Sequence, residues 1–244
     1  MKPFLILETG TPIPALRRHG GFGHWIRVAA GLHGRQVRSC FVAEGEPLPD
    51  AADHAGVLVT GSGAMVTERA DWSERSAAWL RDAAQAGTPL FGICYGHQLL
   101  AHALGGRVDY NPRGREMGTV PVATLSEAAA DPLFAGLGDG FAAHTTHLQT
   151  VLAPPPQATV LARSERDDCQ AFRWGEATWG VQFHPEFSTG MMRGYIQARS
   201  DALSKEGTCH RGLLREVRPA PAARRVLKRF IHVAHHRARP RSKA

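Results

Sequence analysis

The stretch of sequence from residue 90 to residue 106 reads Leu90-Phe91-Gly92-Ile93-Cys94-Tyr95-Gly96-His97-Gln98-Leu99-Leu100-Ala101-His102-Ala103-Leu104-Gly105-Gly106. Its short apolar run, residues 90–93, predicts a buried strand that Pro89 introduces. A helical pattern follows and ends at Gly105-Gly106. Between them lies the turn Gly-x-Cys-x-Gly. This stretch therefore predicts a strand, a sharp turn and a helix.

The chain before this stretch also alternates strands and helices. Strands are predicted at residues 4–7, 37–42 and 56–60, and helices at residues 25–32 and 71–83. With parallel connections, this order predicts a doubly wound, mostly parallel α/β sheet flanked by helices. Ligands bind such sheets at the carboxyl ends of the strands. Gly61-Ser62-Gly63 and Cys94 both follow predicted strands, so we expect them at that edge.

The second half of the chain has shorter runs separated by turn residues. These runs are residues 107–110, 118–124, 140–143, 159–162, 170–174 and 178–183. They predict a mixed or antiparallel extension of the sheet. A final helix is predicted to start near residues 186–189, and the pattern decays after Ser204 except for an amphipathic fragment, residues 226–233. We therefore predict a domain of residues 1–204 and a C-terminal extension of residues 205–244.

The composition indicates a globular chain with one basic segment. The chain has 244 residues, of which 43% are hydrophobic, enough for a substantial core. Its formal net charge of +7 arises from residues 224–244, which contain eight lysine and arginine residues and no acidic residue. A basic tail can bind nucleic acid or an acidic partner, but no aromatic interleaving or nucleic-acid motif accompanies this one. We interpret it as a solvated, partly disordered tail and expect no nucleic-acid partner.

Several kinds of site and location are not expected. No apolar run approaches the ~20 residues that span a membrane, and the start of the chain does not resemble a signal peptide, so we expect a cytoplasmic protein with no membrane partner. The four cysteines (Cys40, Cys94, Cys169 and Cys209) form no CxxC pair, so we expect free thiols. No acidic or histidine cluster requires a metal and no phosphate loop is present, so we expect no metal and no cofactor.

Cys94 is the first candidate for chemistry. Glycines two residues before and two residues after it leave room for a strained strand-to-helix turn, which presents a nucleophile at the top of a sheet. The N-terminus of the following helix would stabilise the thiolate, which is the reactive form. The alternative is a buried structural cysteine beside two incidental glycines.

A nucleophilic cysteine needs a base, a group that orients the base, and donors for an oxyanion. His184 ends an apolar strand and is a candidate base, and Glu186 is close enough in sequence to hold its tautomer. The alternative for His184-Pro185-Glu186 is a simple strand-to-helix turn. Backbone N–H groups of Gly61-Ser62-Gly63 and of Tyr95 are candidate oxyanion donors, although Gly-Ser-Gly also suits a flexible loop.

Six segments in this order resemble the class I (triad-type) glutamine amidotransferase family, and most of all the glutaminase domain of GMP synthase and its stand-alone relatives. They are Gly-Ser-Gly at 61–63, Gly-Ile-Cys-Tyr-Gly-His-Gln at 92–98, Leu-Gly-Gly at 104–106, Gly-Arg-Glu-Met-Gly at 114–118, Thr-His-Leu-Gln-Thr-Val at 146–151 and Gly-Val-Gln-Phe-His-Pro-Glu-Phe at 180–187.

The resemblance implies a flavodoxin-like fold and hydrolysis of the side-chain amide of glutamine. It implies that Cys94 attacks the amide carbon, that His184 acts as base and acid, and that Glu186 orients His184. It places the oxyanion donors at Gly63 and Tyr95. The substrate-binding residues that it implies are Gly61, Gln98, Thr146, His147 and Leu148.

Two departures from the family pattern affect the substrate pocket. Family members usually carry Gly-Gly-Pro where this chain has Gly61-Ser62-Gly63, and Ser-His-Gly-Asp where it has Thr146-His147-Leu148-Gln149. The second change alters the pocket that holds the α-amino and α-carboxylate groups. The departures therefore concern the choice of substrate and leave the Cys94, His184 and Glu186 set in place.

Three functions remain open at this point. The first is a stand-alone glutamine amidotransferase-like enzyme that releases ammonia and glutamate from glutamine or a γ-glutamyl compound and serves a separate synthetase, because residues after 200 leave no room for a synthetase domain. The second is a γ-glutamyl peptidase or hydrolase. The third is a non-catalytic binding or regulatory module.

Overall fold

The computed structural model describes residues 2–238, and eleven strands lie within them. In chain order they are β1 (Phe4–Leu7), β2 (Val37–Cys40), β3 (Val57–Val59), β4 (Leu90–Ile93), β5 (Arg107–Tyr110), β6 (Glu116–Thr124), β7 (Gly140–His147), β8 (Gln149–Ala153), β9 (Thr159–Arg163), β10 (Ala171–Trp174) and β11 (Thr178–Val181). The hydrophobic pattern predicted segments overlapping all of them except β8, which follows β7 after a single residue.

The α-helices of the described chain are α1 (Phe22–Ala30), α2 (Asp71–Gln85), α3 (Tyr95–Ala103), α4 (Thr189–Ala198), α5 (Ser200–Lys205), α6 (His210–Glu216) and α7 (Pro221–Arg237). Gly31 ends α1 with a left-handed φ of 77°. Pro221 opens α7, where its missing N–H removes no hydrogen bond from the helix. No helix in residues 2–238 is long and apolar enough to cross a membrane.

Nine strands form one sheet in the order β2-β1-β3-β4-β11-β10-β9-β6-β7. The first five strands in this order pair in parallel. β1, β3, β4 and β11 are buried at every residue, because helices cover both faces of a parallel sheet. The predicted doubly wound, mostly parallel sheet is confirmed.

The remaining pairings of the large sheet are antiparallel, from β11 through β10, β9 and β6 to β7. This confirms the predicted antiparallel extension in the second half of the chain. The prediction that residues 107–110 join that extension is wrong. They form β5, which pairs with β8 in a separate two-stranded sheet.

The core lies on both faces of the large sheet. Successive residues of a strand point to opposite faces, so Phe4 and Ile6 belong to one apolar cluster, and Leu5 and Leu7 to the other. The first cluster includes residues of α1 and α7, and the second includes residues of α2 and α3. Strand β4 is therefore held between two packed helical layers.

Helix α7 is part of the first cluster. The side chains of Val226, Leu227 and Phe230 are each 0% exposed, and the Phe230 ring centroid lies 5.0 Å from that of Phe91 in β4. The prediction that residues 224–244 form a solvated, partly disordered tail is therefore wrong for residues 224–238. Residues 239–244 lie outside the described residues, and the domain boundary at residue 204 stays a prediction.

Candidate active site

Cys94 occupies a sharp turn between β4 and α3, with a φ of +53° that side chains other than glycine rarely adopt. The turn depends on close backbone contacts at the two glycines. A Cβ on Gly92 would overlap the backbone of Gly96, and a Cβ on Gly96 would lie 2.5 Å from the Val59 carbonyl oxygen in β3. The predicted strained turn is confirmed, and its glycines are required by contact.

His184 reaches Cys94 because β4 and β11 are parallel neighbours. Val181 pairs with Ile93, so the residues that follow both strands leave the sheet at the same edge. The Cys94 N–H donates to the Val181 carbonyl oxygen at 2.9 Å, which joins the two turns. Both Cys94 and His184 are buried, 7% and 3% exposed.

The His184 imidazole is held on several sides. Its Nδ1 lies 2.8 Å from Oε1 of Glu186, and its ring stacks on Phe187 with centroids 4.1 Å apart. Its backbone N–H donates to the His144 carbonyl oxygen at 2.8 Å. The remaining ring nitrogen, Nε2, is buried and makes no well-formed hydrogen bond within residues 2–238. Glu186 therefore fixes the imidazole by one nitrogen and leaves the other available for proton transfer with the thiol.

Cys94 and His184 shift each other's proton affinity. Burial raises the pKa of the Cys94 thiol, but the charge of His184 and a hydrogen-bonding interaction with it outweigh burial and place that pKa below its ordinary value. Burial lowers the pKa of His184, and the charges of Glu186 and Cys94 reverse this, raising it to about 10. Both shifts favour a thiolate at Cys94 and an imidazolium at His184, and the thiolate is the form in which a cysteine is nucleophilic.

A small cavity of about 70 Å³ adjoins Cys94. The residues that line it are Ser62, Gly63, Ala64, Met65, Cys94, Tyr95, Gln98, Thr146, His147, Leu148, Gln149 and Arg199. All the predicted oxyanion and substrate residues except Gly61 are among them. Gly61 lies instead against the reacting pair, where a Cβ would be 3.3 Å from Cε1 of His184 and 3.7 Å from Cβ of Cys94.

The family model described as glutamine amidotransferase class-I matches residues 36–200. The chain belongs to the class I glutamine amidotransferase family. The resemblance seen in the six sequence segments is thereby confirmed.

Curated relatives cover different parts of this class I amidotransferase chain. GMP synthase (glutamine-hydrolyzing) of Aeropyrum pernix is 40% identical over 145 residues, 59% of this chain and 26% of that protein. Gamma-glutamyl-L-1-hydroxyisopropylamide hydrolase of a Pseudomonas species is 32% identical over 160 residues, 63% of this chain and 54% of that protein. One subunit of the Methanopyrus kandleri GMP synthase (glutamine-hydrolyzing) is 32% identical over 174 residues, 69% and 85% of the two chains. The alignments thus span about a quarter and about half of the first two proteins.

A solved structure shares the fold. The glutamine amidotransferase from Methylobacillus flagellatus superposes with a TM-score of 0.77 and 23% identity, covering 100% of this chain and 98% of that one. This similarity extends over α5, α6 and α7, beyond the residues that the family model matches.

The His147 side chain of this amidotransferase is already engaged. Its Nδ1 lies 2.9 Å from the Gln149 carbonyl oxygen and its Nε2 lies 3.1 Å from Oε2 of Glu116, so both nitrogens face acceptors. Burial lowers the pKa of His147, but Glu116 and Asp167 outweigh burial and raise it. The two acceptors therefore favour the imidazolium form of His147, whose charge helps to lower the pKa of the Cys94 thiol.

Gln149 and Gln98 also use their side chains within the fold. Oε1 of Gln149 accepts from the Val66 N–H at 3.1 Å, and its Nε2 donates to Oγ1 of Thr67 at 2.5 Å. Nε2 of Gln98 donates to the Gln149 carbonyl oxygen at 2.7 Å. Gln149 occupies the position where the family usually has aspartate, and the hydrogen bonds of its side chain connect the loop at residues 66–67 to β8.

Five residues of the cavity wall were not predicted as site residues: Ser62, Ala64, Met65, Gln149 and Arg199. The signal for Gln149 was present, because it is one of the departures from the family pattern. Arg199 follows the last turn of α4 in a polar segment, and no motif marks it. His144, within β7, lines a separate groove with Arg224 and Lys228.

Proposed function

We propose that this chain hydrolyses the side-chain amide of glutamine or of a γ-glutamyl compound, with Cys94 as nucleophile, His184 as base and acid, and Glu186 as the residue that orients His184. The observation that carries the proposal is the buried Cys94, His184 and Glu186 set beside the cavity, with Nδ1 of His184 2.8 Å from Glu186. The family and its relatives support the same chemistry.

In the first half of the reaction, the Cys94 thiolate attacks Cδ of the substrate amide. The carbonyl oxygen becomes an oxyanion, and the N–H groups of Gly63 and Tyr95 are the donors that would hold it. Tyr95 is the first residue of α3, so its N–H has no acceptor within the helix. The imidazolium of His184 gives its proton to the departing nitrogen, the C–N bond breaks, and a γ-glutamyl thioester remains on Cys94.

In the second half, water attacks the thioester. The now neutral His184 takes a proton from the water as its oxygen bonds to Cδ, and the C–S bond then breaks. Glutamate leaves, and Cys94 and His184 return to the thiolate and imidazolium pair. No further reactant enters either step.

Replacing Cys94 by alanine tests the proposal. The wild-type chain and Cys94→Ala are assayed for glutamate release from glutamine, from γ-glutamyl amides and from γ-glutamyl peptides, and for ammonia from the first. We expect release by the wild type and none by Cys94→Ala above the uncatalysed rate, with Cys209→Ala, at an exposed cysteine, keeping wild-type activity. Cys94-independent release, or no release from any of these compounds, would contradict the proposal.

The second candidate function is that of a γ-glutamyl hydrolase, and one feature of the cavity wall favours it. Gln149 replaces the usual aspartate and is bound to Val66 and Thr67, so the wall that holds the amino-acid end of glutamine differs from that of the family. The relative from Pseudomonas is named as a hydrolase of a γ-glutamyl amide. Comparison of kcat/KM for glutamine and for a γ-glutamyl alkylamide in the same assay separates the two candidates.

For the glutaminase candidate, the ammonia would be used by a separate synthetase. The relative from Methanopyrus kandleri is named as one subunit of a GMP synthase, and its alignment covers 85% of that polypeptide. We further propose a cytoplasmic location, where such a synthetase would have access to the chain.

We expect Glu186→Gln to lower kcat for glutamate release by roughly 100-fold. Glu186 raises the pKa of His184, so without its charge the imidazolium deprotonates at lower pH. The imidazolium is the acid that protonates the departing nitrogen, so the alkaline limb of the kcat profile moves to lower pH. Steady-state assays across pH measure both effects. Glu176→Gln, at an exposed glutamate, is the matched control, and an unmoved alkaline limb in Glu186→Gln would show that Glu186 does not act through His184.

A further inference from the structure

Arg199 lies in the wall of the cavity that contains Cys94. It joins α4 to α5, and its side chain is half-buried. The guanidinium carbon lies 5.8 Å from the centroid of the Tyr195 ring, a distance at which the ring face attracts a cation. The Tyr195 ring thus lies on one side of the guanidinium, and the cavity that contains Cys94 adjoins Arg199.

The guanidinium of Arg199 has no hydrogen bond or ion pair with an acidic side chain among residues 2–238. The nearby acid, Glu206, is instead bound by Arg115, whose Nε and Nη2 donate to its carboxylate at 2.9 and 3.0 Å. Burial and the charge of Arg115 both lower the pKa of Arg199. Arg199 is therefore a cation that lacks the anionic partner which partly buried arginines usually have.

The rest of the cavity wall suits a carboxylate and offers no carboxylate to pair with an ammonium ion. No aspartate or glutamate is among the described residues that line it. Gln149 stands where the family usually has aspartate, and its amide is bound to Val66 and Thr67. The hydroxyl of Thr146 is buried in the same wall and makes no hydrogen bond within the described chain. A carboxylate could accept hydrogen bonds from both Thr146 and Arg199.

We propose that Arg199 binds the α-carboxylate of the γ-glutamyl substrate while Cys94 attacks the amide at its other end. This rests on the proposed function. In a γ-glutamyl group the α-carboxylate and the reacting carbon are about four carbon–carbon bonds of roughly 1.5 Å apart, and Arg199 and Cys94 line one small cavity. Arg199 selects substrates with a free α-carboxylate, and the α-amino group has no charged partner in the wall.

The test compares two reagents that label Cys94 and differ only at the α-carboxylate. These are 6-diazo-5-oxo-L-norleucine, which resembles glutamine, and its ethyl ester. We expect the wild type to react about 10- to 100-fold faster with the free acid. Arg199→Met removes this preference, and Arg199→Lys, which keeps the charge without the planar fork, retains part of it. Arg211→Met, at an exposed arginine of α6, removes the same charge and keeps the wild-type preference.

Iodoacetamide carries no carboxylate and measures the Cys94 thiolate itself. We expect Arg199→Met to react with it within about twofold of the wild type. Equal reaction of the wild type with acid and ester, or a preference that survives in Arg199→Met, would overturn the role of Arg199 alone. If Arg199→Met lost as much reactivity toward iodoacetamide as toward the free-acid diazo compound, Arg199 would support the thiolate or the fold instead. A wild type that reacts with iodoacetamide and with neither diazo compound would overturn the proposed function as well.

Discussion

Glutamate release is expected to fall about 10⁴-fold when His184 is replaced by alanine. In the proposed reaction, His184 supplies both the proton for the departing nitrogen and the base for the attacking water. It is also what keeps the pKa of the buried Cys94 thiol below its ordinary value, because burial alone raises that pKa. We therefore expect the variant to hold less thiolate than the wild type, in addition to lacking the acid and the base.

Two measurements check this prediction. The first is kcat/KM for glutamate release. The second is the rate of Cys94 alkylation by iodoacetamide across pH, which in the wild type stays high at neutral pH and in His184→Ala rises only in the alkaline range. His102→Ala is the control, since His102 lies near the end of α3 and pairs with Glu74. An alkylation profile that is the same in His184→Ala and wild type would show that another group lowers the thiol pKa.

Helix α7 is expected to be required for folding. Removal of residues 221–244 would expose the apolar cluster that Phe4, Phe91 and Trp179 share with this helix, so we expect the shortened chain to lack a cooperative unfolding transition. In the intact chain, Phe230→Ala is expected to lower the free energy of unfolding by about 3–5 kcal/mol, because the ring is fully buried between Phe91 and Trp179.

Denaturant unfolding followed by circular dichroism gives these free energies. Lys228→Ala is the matched control, because Lys228 is exposed on the same helix, and we expect its effect to stay within about 0.5 kcal/mol. A loss below about 1 kcal/mol for Phe230→Ala, or cooperative unfolding of the shortened chain, would contradict the packing of α7 in the core.

The sequence predicted the elements around the candidate site because local chemistry determines them. A short apolar run followed by Gly92-x-Cys94-x-Gly96 allows few folds other than strand, turn and helix. The position of His184 followed from its own strand and from the parallel order of the sheet, and the structure places both residues at the same edge.

Other features depend on packing that no local pattern encodes. The amphipathic pattern at residues 226–233 was visible in the sequence, but the basic residues 224, 225, 228 and 229 between the apolar positions favoured a solvated tail. The burial of α7 became visible only when the sheet offered a partner for Val226 and Phe230. Arg199 lines the cavity because α4 ends beside the cavity. His147 matched the family motif, but its bond to Glu116 crosses from β7 to β6 and required the sheet register.

The contacts at the two turn glycines have a consequence for re-engineering this protein. Any side chain at position 92 or 96 would overlap backbone, so saturation libraries at these positions should return glycine alone. Met65 and Leu148 line the same cavity and are only half-buried, so other side chains can be placed there. Libraries at these two positions would therefore vary the shape of the cavity while the backbone turn around Cys94 stays unchanged.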